Sequence, residues 1–254
     1  HIKGGNLYVS PLASSSTVLN DEEKQQGVVL VDIGSGTTEI SLYQNKRLKH
    51  ATVLNWGGDR ITEDLHIGLD VTTEHAEALK TRFGTALNRL IDLNEVVLIP
   101  GIAGRKPTPI SVKNVAIIIE ERMKELAAIV MAEIQKTTQP QLLRGGIVLC
   151  GGGAQLPDLD DLFQKVTGIE TRIGLPNANA AFGLTTDIKD PAFATSIGLV
   201  QVFFDQVDSP EQSEDLPTSG PTTPDKKPPS IKVIFGRLVD SLVGTEGDND
   251  GGSY

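Results

Sequence analysis

Hydrophobic positions in the first third of the chain arrive in short runs rather than at helical intervals. Val28 to Ile33, "VVLVDI", is apolar except at Asp32, the pattern of a strand covered on both faces. "TTEISLYQ" then alternates like a paired neighbour, "NKRL" is a polar turn and "KHATVLN" follows, so three adjacent strands are predicted. After "WGGD" the period lengthens to that of a helix, with Ile61, Leu65 and either Ile67 or Leu69 on one side. Thr72 or Thr73 caps a second helix that carries Glu74 in its first turn and Ala76, Leu79, Phe83 and Leu87 on its inner face. "NEVVLIPGIAGRKPTPISV" predicts two short strands about a Gly/Pro turn. From Asn114, Val115, Ile118, Ile119, Met123, Leu126, Ile129, Val130 and Ile134 recur at helical spacing, so one long helix runs to "TTQP".

"GGIVLCGGGAQLPDLDDLFQKVTG" predicts a buried strand, a glycine turn and a helix with Pro157 in its first turn. That helix has an apolar face of Leu159, Leu162, Phe163 and Val166, and Gly168 ends it. "DPAFATSIGLVQVFF" closes the folded part as a helix, and the residues before Gly27 read as a loop. From Asp205 to Ser230 prolines and acids dominate and apolar residues almost vanish, which predicts a disordered linker. Beyond it, a helix over Ile231 to Val243 gathers Ile231, Ile234, Phe235, Leu238 and Leu242 on one side, with Lys232, Arg237 and Asp240 opposite. So short an amphipathic helix is marginal alone in water. It calls for a bilayer or a protein groove, and without either it stays unstructured.

At 254 residues and 39% hydrophobic content the chain can build one substantial core or two modest ones. A formal net charge of −10 leaves no basic stripe for phosphate backbones, which argues against nucleic-acid binding. The single cysteine, Cys150, can form no internal disulfide and sits in an apolar run, so it reads as a small buried hydrophobe in a reducing compartment. No apolar run reaches the roughly 20 residues that span a bilayer, and the opening "HIKGGNLYVSPLASSS" is not a secretion signal. His50, His66 and His75 lack metal-ligand spacing.

The chemistry gathers at the glycines. Backbone N–H groups approach phosphate oxygens where side chains are absent, so Gly34 and Gly36 suit a phosphate cradle to which Ser35, Thr37 and Thr38 add hydroxyls. Asp32, at the carboxyl end of its strand, would then hold a hydrated magnesium ion. Taken alone, "DIGSGTT" is equally a tight hairpin in which glycines only turn the chain. A second strand ending in glycines, Gly151 to Gly153, offers a flat backbone surface for a nucleoside, with close strand-to-helix packing as the alternative.

"VVLVDIGSGTTEISLY" resembles the phosphate-2 segment of the actin, hexokinase and heat-shock chaperone superfamily, "GIVLCGGGAQLPDL" its adenosine segment, and "DPAFATSIGLV" its second connecting helix. Within it, "HATVLNWGGDRITEDL", "AEALKTRFGTAL", "VLIPGIAGRKPTPIS" and "RGGIVLCGGGAQLPDLDDLFQKVTGIETRIGLP" are similar to the bacterial cell-division family FtsA, along nearly all of Asn20 to Phe204. The resemblance implies an α/β, actin-like (ribonuclease H-like) lobe: a core of 27–59 and 144–204, an inserted smaller subdomain of 60–143, and a remnant of the preceding lobe or connector in 1–26. The linker is then 205–230 and the membrane-targeting tail 231–254. It implies ATP and magnesium as ligands, with Asp32, Gly34, Ser35, Gly36, Thr37 and Thr38 on the phosphates and metal. Gly57, Gly58 and Asp59 would form a loop beside the nucleotide, Glu77 and Lys80 would face ribose and adenine, and Gly151, Gly152, Gly153 and Ala154 would floor the purine. Read without the family, Glu77 and Lys80 are equally a solvated pair one helical turn apart. Ser35 replaces a glycine common in the family.

The implied function is an actin-like scaffold, at most a weak ATPase, that polymerises at the division site and tethers FtsZ to the cytoplasmic face of the membrane. Lys113 and Arg122 would be candidate contacts for the acidic C-terminal peptide of FtsZ, or else simply solvated charge. The family's first phosphate loop and the acid that positions a water would lie upstream of Asn20, so no catalytic residue is assigned. A sugar or acid kinase of the same fold, and a chaperone-like or pilus-assembly adaptor, are the rival readings. The flexible tether ending in an amphipathic helix disfavours a kinase.

Overall fold

The computed structural model of the chain describes residues 8–92, 94–101, 106–177 and 189–208. The Gly/Pro turn at 102–105, the linker beyond 208 and the tail lie outside the described residues. A five-stranded sheet in the order β3-β2-β1-β6-β7 organises the rest. Strands β1 (Val28–Ile33), β2 (Thr38–Gln44) and β3 (Arg47–Leu54) form the predicted meander. β6 (Ile147–Cys150) runs parallel to β1 and β7 (Thr171–Ile173) parallel to β6. The β2–β3 turn is tight because Asn45 and Lys46 both take positive φ, 54° and 59°, which matches the strand twist. The helices are α1 (Ser10–Val18), α2 (Asp21–Gln26), α3 (Gly58–Leu69), α4 (Thr73–Phe83), α5 (Val112–Thr137), α6 (Leu159–Thr167) and α7 (Ala194–Asp208). β4 (Val96–Ile99) and β5 (Thr108–Ser111) pair as a separate two-stranded ribbon.

The apolar run of β1 has the predicted cause. Val29, Val31 and Ile33 pack with Ile147, Leu149, α5 and α6 on one face. Val28 and Leu30 pack with Val18, Val148, Cys150 and Ala194 on the other. The first of these clusters continues without a break through Ile61, Leu65, Leu79 and Leu87 to Ile99 and Ile110, so the segment between β3 and β6 shares its core with the sheet. Thr72 accepts from the His75 amide to cap α4, and Gly168 closes α6 in the left-handed region.

Several local expectations are corrected. Residues 10–26, read as a loop, form α1 and α2; α2 carries a capping box in which the Asn20 side chain takes the Glu23 amide and the Glu23 carboxylate takes the Asn20 amide. The serine-rich α1 has no apolar stripe, and its helix is held by tertiary contacts of hydroxyls: Ser15 with Tyr43 Oη at 2.7 Å, and Ser10 with the Glu39 carboxylate at 2.6 Å. Of the two alternatives for the last inward position of α3, Leu69 is the one that packs on the core, with Ile67 70% exposed; Val166, by contrast, leaves the buried face of α6 at 37% exposure. Leu87 is buried but lies past the end of α4. Strand β7 lacks an apolar run and was not anticipated; it is held by pairing with β6. Asp205, placed in the linker by composition, continues α7 to Asp208.

α7 lies directly on α1. A Cβ on Gly198 would stand 1.8 Å from the Ala13 carbonyl oxygen, so only glycine permits this approach. Gly198→Ala is therefore expected to cost about 1–3 kcal/mol through overpacking, read as a lower denaturant midpoint, while the exposed Ser196→Ala should leave the midpoint nearly unchanged.

Candidate functional site

Two glycine turns meet at one edge of the sheet because β1 and β6 are parallel neighbours, with Asp32 opposite Cys150 at their carboxyl ends. The first turn is the β1–β2 connection, closed by the Gly34 amide on the Thr37 carbonyl at 2.9 Å. Gly34 and Gly36 are outside the set of residues with positive φ, so the turn does not demand glycine for its dihedrals. Space is the better explanation at Gly36, where an added Cβ would approach only the Asp59 carboxylate, at 4.0 Å. The amides of Ser35 and Gly36 donate to no protein acceptor among the described residues.

The start of α3 braces this turn. The Gly58 amide donates to the Gly34 carbonyl at 2.9 Å and the Asp59 amide to the Ser35 carbonyl at 2.8 Å, which uses two of the N-terminal amides a helix leaves unpaired. Gly57 is required by contact, since a Cβ there would fall 2.3 Å from the Ser35 carbonyl oxygen. Thr38 stands apart: it is fully buried, and its hydroxyl donates to the Trp56 carbonyl at 2.7 Å.

In the second turn the three glycines have different roles. Gly151 has φ +82° and donates its amide to the Pro191 carbonyl at 2.9 Å; a Cβ there would lie 2.3 Å from Asp32 Oδ1. Gly153 would press a Cβ to 2.4 Å from Ile33 Cγ2, so both serve close packing. Gly152 alone faces open space, with nothing within 4 Å of an added Cβ, and it opens the short 3-10 turn Gly152–Gln155. Ala154 is buried.

Between the turns and the α3–α4 pair lies a cleft of about 330 Å³, within the size range of small-ligand sites. Of the residues expected from the sequence, Gly34, Ser35, Gly58, Glu77, Lys80, Gly152 and Gly153 line it. Asp32, Gly36, Thr37, Thr38, Gly57, Asp59, Gly151 and Ala154 lie outside its lining. Ile33, Ile61, Thr81, Met123, Gln155 and Leu156 line it without having been anticipated. Leu156 directly follows the second glycine motif and was within reach of sequence reasoning, whereas Met123 comes from the middle of α5 and carries no local signal.

Glu77 and Lys80 are more than a solvated pair. Lys80 Nζ reaches the Glu77 carboxylate at 2.7 Å, Thr62 Oγ1 at 2.8 Å and the Gly58 carbonyl at 3.2 Å, while the Thr62 hydroxyl donates to Glu77 at 2.5 Å. Burial pushes the Glu77 carboxyl up, but the Lys80 and Thr62 hydrogen bonds and the Lys80 charge outweigh it and hold the group below its ordinary range. The unanticipated Thr62 thus ties α4 to α3 over the cleft.

Lys113 and Arg122, nine residues apart on α5, fall on opposite sides of that helix. Lys113 donates to the Asn88 carbonyl; Arg122 pairs with Asp64 of α3 and, at 2.7 Å, with Glu125. Neither is simply a solvated charge.

Asp32 is half-buried, and its carboxylate accepts from Thr195 Oγ1 of α7 at 2.9 Å. Burial raises its pKa, partly opposed by the hydrogen bond from Thr195 and by the nearby Cys150 thiol and Ser14 hydroxyl. The Cys150 thiol is pushed well up, by burial and then by the Asp32 charge. Among the described residues no three His, Cys, Asp or Glu side chains cluster as a metal cage. One carboxylate beside two open glycine turns suits an ion held chiefly by phosphate oxygens and water.

A carboxyl whose folded-state pKa lies above its unfolded value favours folding when protonated. Its ionisation therefore destabilises the fold as pH rises through the window between the two values. Asp32→Asn should raise the denaturant midpoint at neutral pH, and the difference from the parent should close as pH falls toward about 4. A midpoint difference that does not change with pH would contradict this.

A family model described as "Cell division protein FtsA" matches residues 29–198. The cell division protein FtsA of Neisseria meningitidis serogroup B is 35% identical over 200 residues, covering 78% of this chain and 48% of that protein. That of Escherichia coli K12 is 36% identical over 206 residues, covering 78% and 49%. The chain spans about half the length of these curated relatives. Among solved structures, MreB5 of Spiroplasma citri bound to ADP superposes with a TM-score of 0.65 at 18% identity, over 83% of this chain and 64% of that one. A MamK double helical filament gives 0.57 at 19% identity, over 77% and 58%. At these identities the structural likeness establishes the fold, which is the actin-like one. With the family model covering both glycine turns and everything between them, the chain belongs to the FtsA family of cell-division proteins.

Proposed function

We propose that the chain forms the second lobe and tail of an ATP-binding, actin-like division scaffold that assembles with copies of itself and tethers FtsZ to the cytoplasmic face of the membrane. The observation that carries the nucleotide reading is the convergence of two glycine turns on one cleft, through Gly34 and Ser35 of the first and the open Gly152 of the second, beside the Thr62–Glu77–Lys80 cluster. Ser35, Gly36 and Thr37 would receive the phosphates, Gly152 would lie under the purine, and Glu77 and Lys80 would take the ribose and base edge. Asp32 would hold magnesium through water; the ion, when bound, offsets phosphate charge. Solved structures of the same fold are described as bound to ADP or AMPPNP, which supports this reading.

Self-assembly is supported by the likeness to a protein described as a double helical filament. An FtsZ peptide reaching Lys113 or Arg122 must compete with the Asn88 carbonyl and with Asp64 and Glu125 for them. Membrane attachment rests on the apolar face of Ile231, Ile234, Phe235, Leu238 and Leu242, since no helix of the described residues is long and apolar enough to cross a bilayer.

Because nothing stands near Gly152, Gly152→Val should leave the melting temperature almost unchanged yet weaken magnesium-ATP binding at least about 10-fold by calorimetry, roughly 1.4 kcal/mol. Equal binding by parent and variant would remove the purine from this turn. Deleting residues 231–254 should abolish co-sedimentation with anionic vesicles and leave nucleotide binding intact; sedimentation indifferent to the deletion would sink the membrane anchor.

A further inference from the structure

The hydroxyl of Thr195 links the acid at the end of β1 to α7. Its Oγ1 lies 2.9 Å from Asp32 Oδ2, and Thr195 is the second residue of α7. The opposite carboxylate oxygen lies beside Gly151, where an added methyl group would fall 2.3 Å from it, so only a glycine leaves room for the acid there. Gly151 is itself tied to the turn leading into α7 by its amide on the Pro191 carbonyl at 2.9 Å. Ser14, fully buried on α1, also faces the carboxyl, while its own hydroxyl donates to the Ser10 carbonyl at 3.1 Å. α1 and α7 are locked together at Ala13 and Gly198.

From these contacts we propose that Thr195 is the positioning residue for Asp32, orienting its carboxylate from the first turn of α7 and so coupling the metal-holding acid to the α1–α7 helix pair. The proposal rests on the nucleotide reading above and deepens it. A carboxylate that binds a metal through water must present its lone pairs in a fixed direction, and a neighbouring hydroxyl sets that direction by occupying one of them. A displacement of the α1–α7 pair relative to β1 carries the Thr195 hydroxyl with it, so the geometry offered to the ion follows the helix pair. Simple satisfaction of a buried polar group would require the hydrogen bond but would give no dependence of metal affinity on it.

The test compares Thr195→Val, which keeps the shape and removes the hydroxyl, with Thr195→Ser, which keeps the hydroxyl. Thr195→Ala serves as a second deletion should the valine fail to fold. ATP binding by the 254-residue chain is titrated against magnesium, and crystal structures of parent and variants are determined without nucleotide. The valine should raise the magnesium concentration at half-maximal binding about 10-fold, leave magnesium-free ATP binding unchanged and show a reoriented Asp32, with serine restoring all three. An unmoved carboxylate, or a magnesium requirement unchanged beside a moved one, overturns the proposal. Should the parent chain bind no magnesium-ATP, the nucleotide reading fails on its own, and the Asp32 orientation in the variants still decides whether Thr195 positions it.

Discussion

Everything about the site depends on the parallel pairing of β1 with β6. That ladder sets Asp32 opposite Cys150, so two chain reversals more than a hundred residues apart begin at the same level on adjacent strands. Parallel neighbours need a long connection, and here the connection is the whole segment containing α3, α4 and α5, which folds back over the strand ends and supplies the far wall of the cleft. The carboxyl ends of parallel strands are where open α/β sheets leave a crevice, because the chain departs from the sheet there in different directions.

The glycines divide by physical cause. Gly57, Gly151, Gly153 and Gly198 are glycines because another group occupies the place of a Cβ. Gly36 and Gly152 meet no such neighbour, and as neither has a positive φ, local structure does not explain them. A position that tolerates a side chain sterically and still lacks one fits a surface kept clear for something outside the protein. The α3 amides that hold the Gly34 and Ser35 carbonyls keep that surface in shape.

The α1–α7 pair shows how a helix can form without an apolar stripe. Ser10 and Ser15 of α1 each spend a hydroxyl on a side chain of β2, and Ser14 lies at the Asp32 carboxyl, so this polar helix lies flush on the sheet. Asp32 lies beneath it with a raised pKa, and its burial is a cost the fold carries at the edge of its cleft. Desolvation of this kind concentrates at functional positions, where the most stable residue is not the useful one.

The strands β1, β2, β3 and β6, the long α5, the capped α4 and the glycine-closed α6 were all legible because their signals are local: alternation, helical period, a threonine before an apolar repeat. Both glycine motifs were legible as turns at strand ends for the same reason. The helicity of α1, the short β7, the choice between Ile67 and Leu69 and the burial of Thr38 against Trp56 were not, since each rests on groups distant in sequence. So it was with the site: the sequence pattern singled out Asp32 and the family resemblance Glu77 and Lys80, but only the fold brought Thr62 between the last two, Thr195 to the first and Met123 into the cleft wall. Pattern along a chain records which face of an element is buried. Which partner meets that face is decided by packing between elements, which no single segment encodes.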